Sequence, residues 1–265
     1  MATSVRRIGA PTLRHLYLFR GSWPRLLELA YWPTMQMVLW GFMTVFLASQ
    51  TSYVAQAFGV LLSAALLRDV LFRGQLGISV TCFEEMYSRN LGHLFVSPLR
   101  PWEMVASLMT MSLFRTVVGV VPASFLSLAF FGFSIYSLGL PLVGFFVNLI
   151  VFSWAFGLVI AGLVLRFGLG AEGLAWAGLF ALAPVSGIYY PVAVLPHWLQ
   201  AVAAVFPSTH VFEGMRAIVL DGVFRGDLMA TAVLLNAAYL AAGTDVFLRF
   251  FHTARIKGLL LQMRE

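Results

Sequence analysis

The stretch TCFEEMYSRNLGHLFVSPLRPWEM, residues 81–104, decides how the chain is read. Thr81 and Glu84 form a Thr-x-x-Glu capping box, a signature of a helix start. Phe83, Met86, Tyr87, Leu91, Leu94 and Phe95 then recur at helical spacing on one face, and Glu84, Glu85, Ser88, Arg89 and His93 take the other. Glu85 stands four residues before Arg89, the favourable order for a helix-surface ion pair. Pro98 disfavours helical geometry at Ser97 and ends the pattern. The spacing predicts a short amphipathic helix over about 82–96, set between two strongly apolar runs. A water-facing helix in that position belongs at a membrane surface.

Composition places the rest of the chain in the membrane. Of 265 residues, 60% are hydrophobic and 11% charged, against about a quarter charged in soluble chains. Six apolar runs, about 30–50, 54–73, 105–131, 140–165, 173–193 and 228–250, approach the length that crosses a bilayer, roughly 20 residues as a helix. Each is expected to be helical, because lipid offers backbone groups no external partner. The expected fold class is an all-α polytopic membrane protein forming one transmembrane domain over 1–265. The lone cysteine, Cys82, excludes an intramolecular disulfide and any multi-cysteine metal site.

The net charge of +6 reflects how arginines are distributed rather than a nucleic-acid surface. With the N-terminus inside, inner segments hold Arg6, Arg7, Arg14, Arg20, Arg25, Arg68, Arg73, Arg89, Arg100, Arg166, Arg249, Arg255, Lys257 and Arg264. Outer segments hold only Arg216 and Arg225, and Arg115 falls within a span. That asymmetry fits the positive-inside rule and puts both termini in the cytoplasm. Arginines are spread over the first 25 residues before any long apolar run, unlike a cleavable signal peptide. The segment 1–29, with Leu, Tyr, Phe and Trp among its arginines, is expected to lie along the inner interface.

Two segments carry a family resemblance. EEMYSRNLGHLFVSPLRPWEM resembles the loop of type-2 ABC exporter permeases, in which an acidic amphipathic helix precedes an SPL-x-x-x-E stretch. SGIYYPVAVLPHWLQAVAAVFPSTHVFEGMR is similar to their late S-G-x-x-Y-P…L-P-x-W-L…P…E-x-x-R segment. Order, spacing and near-full-length coverage agree.

The resemblance implies that the first segment is a coupling helix docking on a cytoplasmic ATPase through Glu84, Glu85, Ser88, Arg89 and His93. It implies that 194–222, around Pro191, Pro196, Trp198, Pro207, Glu213 and Arg216, is an external re-entrant gate of short helices. Locally, Pro196 suits a helix start, Ser208 or Thr209 can cap after Pro207, and Glu213 can reach Arg216 one turn on. The implied assembly is a permease dimer, of two copies or with a similar chain, in a bacterial inner membrane. The implied cargo is amphipathic: polysaccharide, lipid-linked or drug-like. ATP and magnesium would sit on the partner, because a P-loop needs a lysine in a Gly-rich turn and the only lysine is Lys257, in HTARIKGLLL. This chain is then expected to bind no cofactor or metal and to catalyse nothing itself.

Two other readings compete. Glu84-Glu85-x-x-x-Arg89 with Phe206-x-x-x-His210 resembles two motifs of intramembrane CAAX-type proteases, where glutamate and histidine activate water. The third motif of that family, His-x-x-x-Asn or Asp, fails at all five histidines, which are followed at that spacing by Phe19, Ser97, Ala201, Gly214 and Ile256. A secondary transporter needs a buried ion site between broken helices. Its candidates are Arg115, Asn148, Asn236 and Asp245, with an Arg115–Asp245 interaction as one arrangement. No internal symmetry accompanies them. Tyr31, Trp32, Trp40, Phe42 and Phe46 on the first span offer rings that could stack on sugars, and their place at a span end favours interfacial anchors facing lipid.

Overall fold

A computed structural model of the chain describes residues 2–21, 23–50, 58–88, 100–168, 170 and 172–256. Among these it is all-helical, with no strand. The helices are α1 (Ala2–Arg20), α2 (Trp23–Gln50), α3 (Phe58–Tyr87), α4 (Pro101–Phe131), α5 (Leu140–Phe167), α6 (Glu172–Val185), α7 (His197–Val205), α8 (Pro207–Asp221) and α9 (Gly226–Ile256). Three of them, α4, α5 and α9, are long and apolar enough to cross a membrane.

The expected spans and the observed helices differ where packing overrides local signals. The helix holding the expected first span begins at Trp23, not near residue 30, because only two positions separate α2 from α1 and Pro24 suits a helix start. The second does not stop near residue 73: α3 runs unbroken to Tyr87, so the expected separate helix over 82–96 does not begin where it was placed. Thr81 is therefore inside a helix, and its hydroxyl donates back to the Gly77 carbonyl at 2.7 Å rather than capping a start. Ile78 and Cys82, both fully buried, pack with Met104, Leu108 and Leu158 and carry the helix through this point. Residues 89–99 of the expected element lie outside the described residues.

The expected span 173–193 is also interrupted. Helix α6 ends at Val185 after 14 residues, about 21 Å at helical rise, too short for a layer roughly 30 Å thick. Pro184 sits in its last turn, and Gly187 follows with φ +62°, a left-handed conformation that glycine adopts at no steric cost. By contrast α5 matches its expected span to within two residues, and α4 and α9 contain theirs with a few extra residues at the ends.

Helix α5 is the centre of the bundle, packing most broadly on α9 and then on α3, which in turn packs on α4. Small residues permit the close approaches. A Cβ on Gly157 would stand 3.0 Å from the Gln75 carbonyl oxygen of α3, and one on Gly243 would stand 2.5 Å from the Ala155 carbonyl oxygen of α5. Phe145, Leu149 and Phe152 of α5 are buried among Leu62, Leu66 and Val70 of α3 and Phe212 of α8.

One polar clamp crosses the α5–α9 seam. The Asn236 amide donates to the Asn148 side-chain oxygen at 2.8 Å and to the Asn148 carbonyl at 3.0 Å. Interhelical hydrogen bonds in lipid contribute about 0.6–1.7 kcal/mol. Asn236→Leu should therefore lower the thermal midpoint of the detergent-solubilised protein by about 2–4 °C per kcal/mol. An unchanged midpoint would remove the clamp from the account.

Candidate functional site

Two charged networks, one at each end of the α3–α4 pair, hold the segments that the sequence singles out. The first joins α1, α3 and α4. Arg14 Nη1 donates to both carboxylate oxygens of Glu85, at 2.8 and 2.7 Å, and His15 Nε2 lies 2.9 Å from Glu85 Oε1. His15 Nδ1 lies 3.7 Å from Glu84 Oε2, onto which Arg115 Nη2 donates at 2.6 Å. Glu85 and His15 are only 4% and 3% exposed.

Helix α1 is stitched down further along the same side. Arg7 lies 3.9 Å from Glu103 Oε1, and the Thr12 and Ser107 hydroxyls are 3.3 Å apart. Glu103 also accepts the Arg100 backbone N–H at 2.9 Å, which closes the first turn of α4. So α1 is fixed to the last turn of α3 and the first turns of α4 by side chains from three helices.

Sequence spacing puts Glu84 and Glu85 on a water-facing side. The structure turns Glu85 inward against α1 and leaves Glu84 about a third exposed. Tyr87 and Ser88 are exposed, whereas Arg89 and His93 lie outside the described residues. Sequence reasoning missed Arg14 and His15 as partners, because nothing local links positions some seventy residues apart. The available signal was a histidine beside an arginine in an otherwise apolar-faced segment.

The second network pins the chain between α6 and α8. Arg216 Nη1 donates to Glu213 Oε1 at 2.8 Å, the pair expected from the spacing, and Nη2 donates to the Gly187 carbonyl at 2.9 Å. The same Glu213 oxygen accepts the Val192 backbone N–H at 2.8 Å. One ion pair on α8 thus holds both sides of the loop 187–192. Ser186 and Ser208 hydroxyls meet at 2.9 Å, and Gln200 of α7 donates to the Leu195 carbonyl at 2.7 Å.

The other residues of this segment act on the backbone. Pro191 precedes a short turn of 3-10 helix at 192–194, Pro196 stands before α7 as expected, and Pro207 is the first residue of α8. The Ser208 and Thr209 caps do not form: Phe206 occupies the cap position, and the Ser208 hydroxyl is spent on Ser186. Trp198 is 69% exposed on α7.

The rival arrangements do not assemble. Arg115 pairs with Glu84, whereas Asp245 pairs with Arg249 on its own helix at 2.9 Å, so the two do not meet. Glu84 is tied to Arg115 and His15, while His210 bonds the Ala204 carbonyl at 2.9 Å. Among the described residues no group of three or more His, Cys, Asp or Glu is placed to hold a metal.

Three helices long and apolar enough to cross a membrane, with the charges at this site tied into pairs that fasten helix to helix, define a multi-pass membrane protein. The chain belongs to the ABC-2 type transporter family, whose sequence pattern matches residues 19–220. It is thus an ABC transporter permease, a transport component. Comparison with curated proteins returns no match.

Proposed function

We propose that the chain is the permease subunit of an ATP-driven exporter, working as a dimer of permeases with two copies of a separate ATPase. The termini and the α1 network face the cytoplasm, and α2, α3 and the α6–α8 region complete the six spans and external gate. The segment following Tyr87, with Ser88, Arg89 and His93, meets the ATPase, and Glu84 and Glu85 brace it. ATP binding closes the ATPase pair, and the movement enters the membrane through α3.

One observation carries this reading. Helix α3 is a single 30-residue element whose last turn is ion-paired to both α1 and α4. At helical rise it is about 45 Å long, a rigid connection from the surface of the bundle into its core. A loop helix that merely joined two spans would need no such bracing. The segment 187–216, pinned by Glu213 and Arg216, has the short helices expected of a gate rather than a full span.

The test is affinity purification of a tagged copy in mild detergent, with identification of what accompanies it and an assay of ATP hydrolysis. An ATPase should come with the wild-type chain and be lost from Arg89→Glu. A chain that emerges alone, under conditions that preserve other membrane complexes, overturns the reading.

A further inference from the structure

Continuing α3 to Tyr87 changes where its charges lie. Sequence spacing puts Arg68, Asp69 and Arg73 at the inner edge of a short span, whereas all three are well inside a long helix. Gly59 packs beside Phe133 and Val219, which lie near the ends of α4 and α8, so this end of α3 coincides with the end of the bundle. Arg68 is nine residues deeper, about 14 Å, and Arg73 about 21 Å. With α3 as one of the six proposed spans and its Gly59 end at the edge of a hydrocarbon layer roughly 30 Å thick, both fall within that layer. Charges at that depth are costly and mark functional positions by default.

The charges do not balance. Asp69 accepts a hydrogen bond from Arg73 Nε at 2.7 Å, which neutralises one cation. Arg68 has no carboxylate within ion-pair distance among the described residues. Its guanidinium lies instead 4.8 Å from the ring centroid of Phe72, one turn further from the bundle end. A guanidinium on an aromatic face is held in place without losing its charge.

The surroundings are aromatic and open. Phe72 meets Trp176 and Phe180 of α6, with ring centroids 5.9 and 6.0 Å away, and these two are 44% and 61% exposed. Tyr189 stacks on Trp40 of α2, with centroids 4.4 Å apart at 18°. Phe72, Trp176 and Phe180 therefore present flat apolar faces beside a guanidinium that makes no direct ion pair among the described residues.

We propose that Arg68, seated on Phe72 beside the exposed Trp176 and Phe180 rings, binds the anionic headgroup of the amphipathic molecule that this permease moves. The headgroup is a phosphate or carboxylate, and the aromatic faces take the ring or chain attached to it. The guanidinium supplies the two parallel donors that such a group accepts. This rests on the transport reading and narrows its cargo from amphipathic to anionic amphipathic.

The experiment uses the full chain alone in phosphatidylcholine nanodiscs, so its result does not depend on finding an ATPase. A diazirine-bearing decyl phosphate and a matching neutral decyl maltoside serve as photolabels, mapped by mass spectrometry. The phosphate probe should label α3 or α6 despite the excess of zwitterionic lipid phosphate. Dodecyl phosphate should compete, and inorganic phosphate should not. Arg68→Gln should cut phosphate labelling at least tenfold while leaving maltoside labelling elsewhere unchanged, and Arg68→Lys should fall between. Undiminished phosphate labelling in Arg68→Gln, equal labelling of the site by both probes, or equal competition by inorganic phosphate each overturns the assignment. A single monodisperse peak for both variants separates loss of binding from loss of fold.

Discussion

Glu85→Ala should release α1 from the bundle and lower the thermal midpoint by roughly 4–12 °C, for a loss of about 2–3 kcal/mol. The change removes both Arg14 hydrogen bonds and the His15 contact, leaving His15 buried without its nearest carboxylate. Breaking a fully buried pair costs about 3–5 kcal/mol. Arg14 is 40% exposed and regains water, so the smaller figure applies. Limited trypsin digestion reports the release directly, through faster cleavage at Arg6, Arg7 and Arg14. Arg14→Ala should cost less, because Glu85 keeps His15. If neither the midpoint nor the cleavage pattern moves, the network is not what fastens α1. Charge reversal at Glu85 is a poor probe of ATPase docking for the same reason: it breaks the brace before it can report on a partner.

The second large effect is expected at Arg216. Arg216→Ala takes away a salt bridge and the donor to the Gly187 carbonyl together, and the side chain is only 9% exposed. The loss is about 2–4 kcal/mol, concentrated in the loop that the pair pins. That loop spans 187–192, so its release should raise calcein leakage from proteoliposomes severalfold without dispersing the bundle. Arg216→Lys keeps the charge but not two divergent donors, and should restore only part of the seal. Leakage equal to wild type in Arg216→Ala would separate this network from any gating role.

The two ends of the chain were legible in the sequence to very different degrees. Glu213 and Arg216 were readable as a pair because they stand one helical turn apart, so secondary structure alone brings them together. The spans at α4, α5 and α9 were readable because each is one continuous apolar run. The start of a helix at Thr81 was misread. A capping box is a local pattern, and the same Thr-x-x-Glu spacing occurs mid-helix whenever packing on both sides keeps the backbone helical. The break in α6 was missed for the opposite reason: hydropathy does not fall at Gly187, where backbone conformation and an arginine from α8 turn the chain.

What the amino-acid order determined by itself is therefore the membrane class, the helical content, the transporter family and the contacts that lie within a turn or two. Each depends on composition or on a period that the chain carries locally. Tertiary structure alone decided that Glu85 faces α1 instead of water, that Arg115 and Asp245 have separate partners, and that the Phe72 beneath Arg68 meets Trp176 and Phe180 of α6. Those outcomes depend on which helices lie side by side. In a bundle whose helices are nearly all apolar, periodicity does not say which face meets which neighbour. The choice falls to small residues such as Gly157 and Gly243 and to a few polar clamps, whose partners lie far away in the chain.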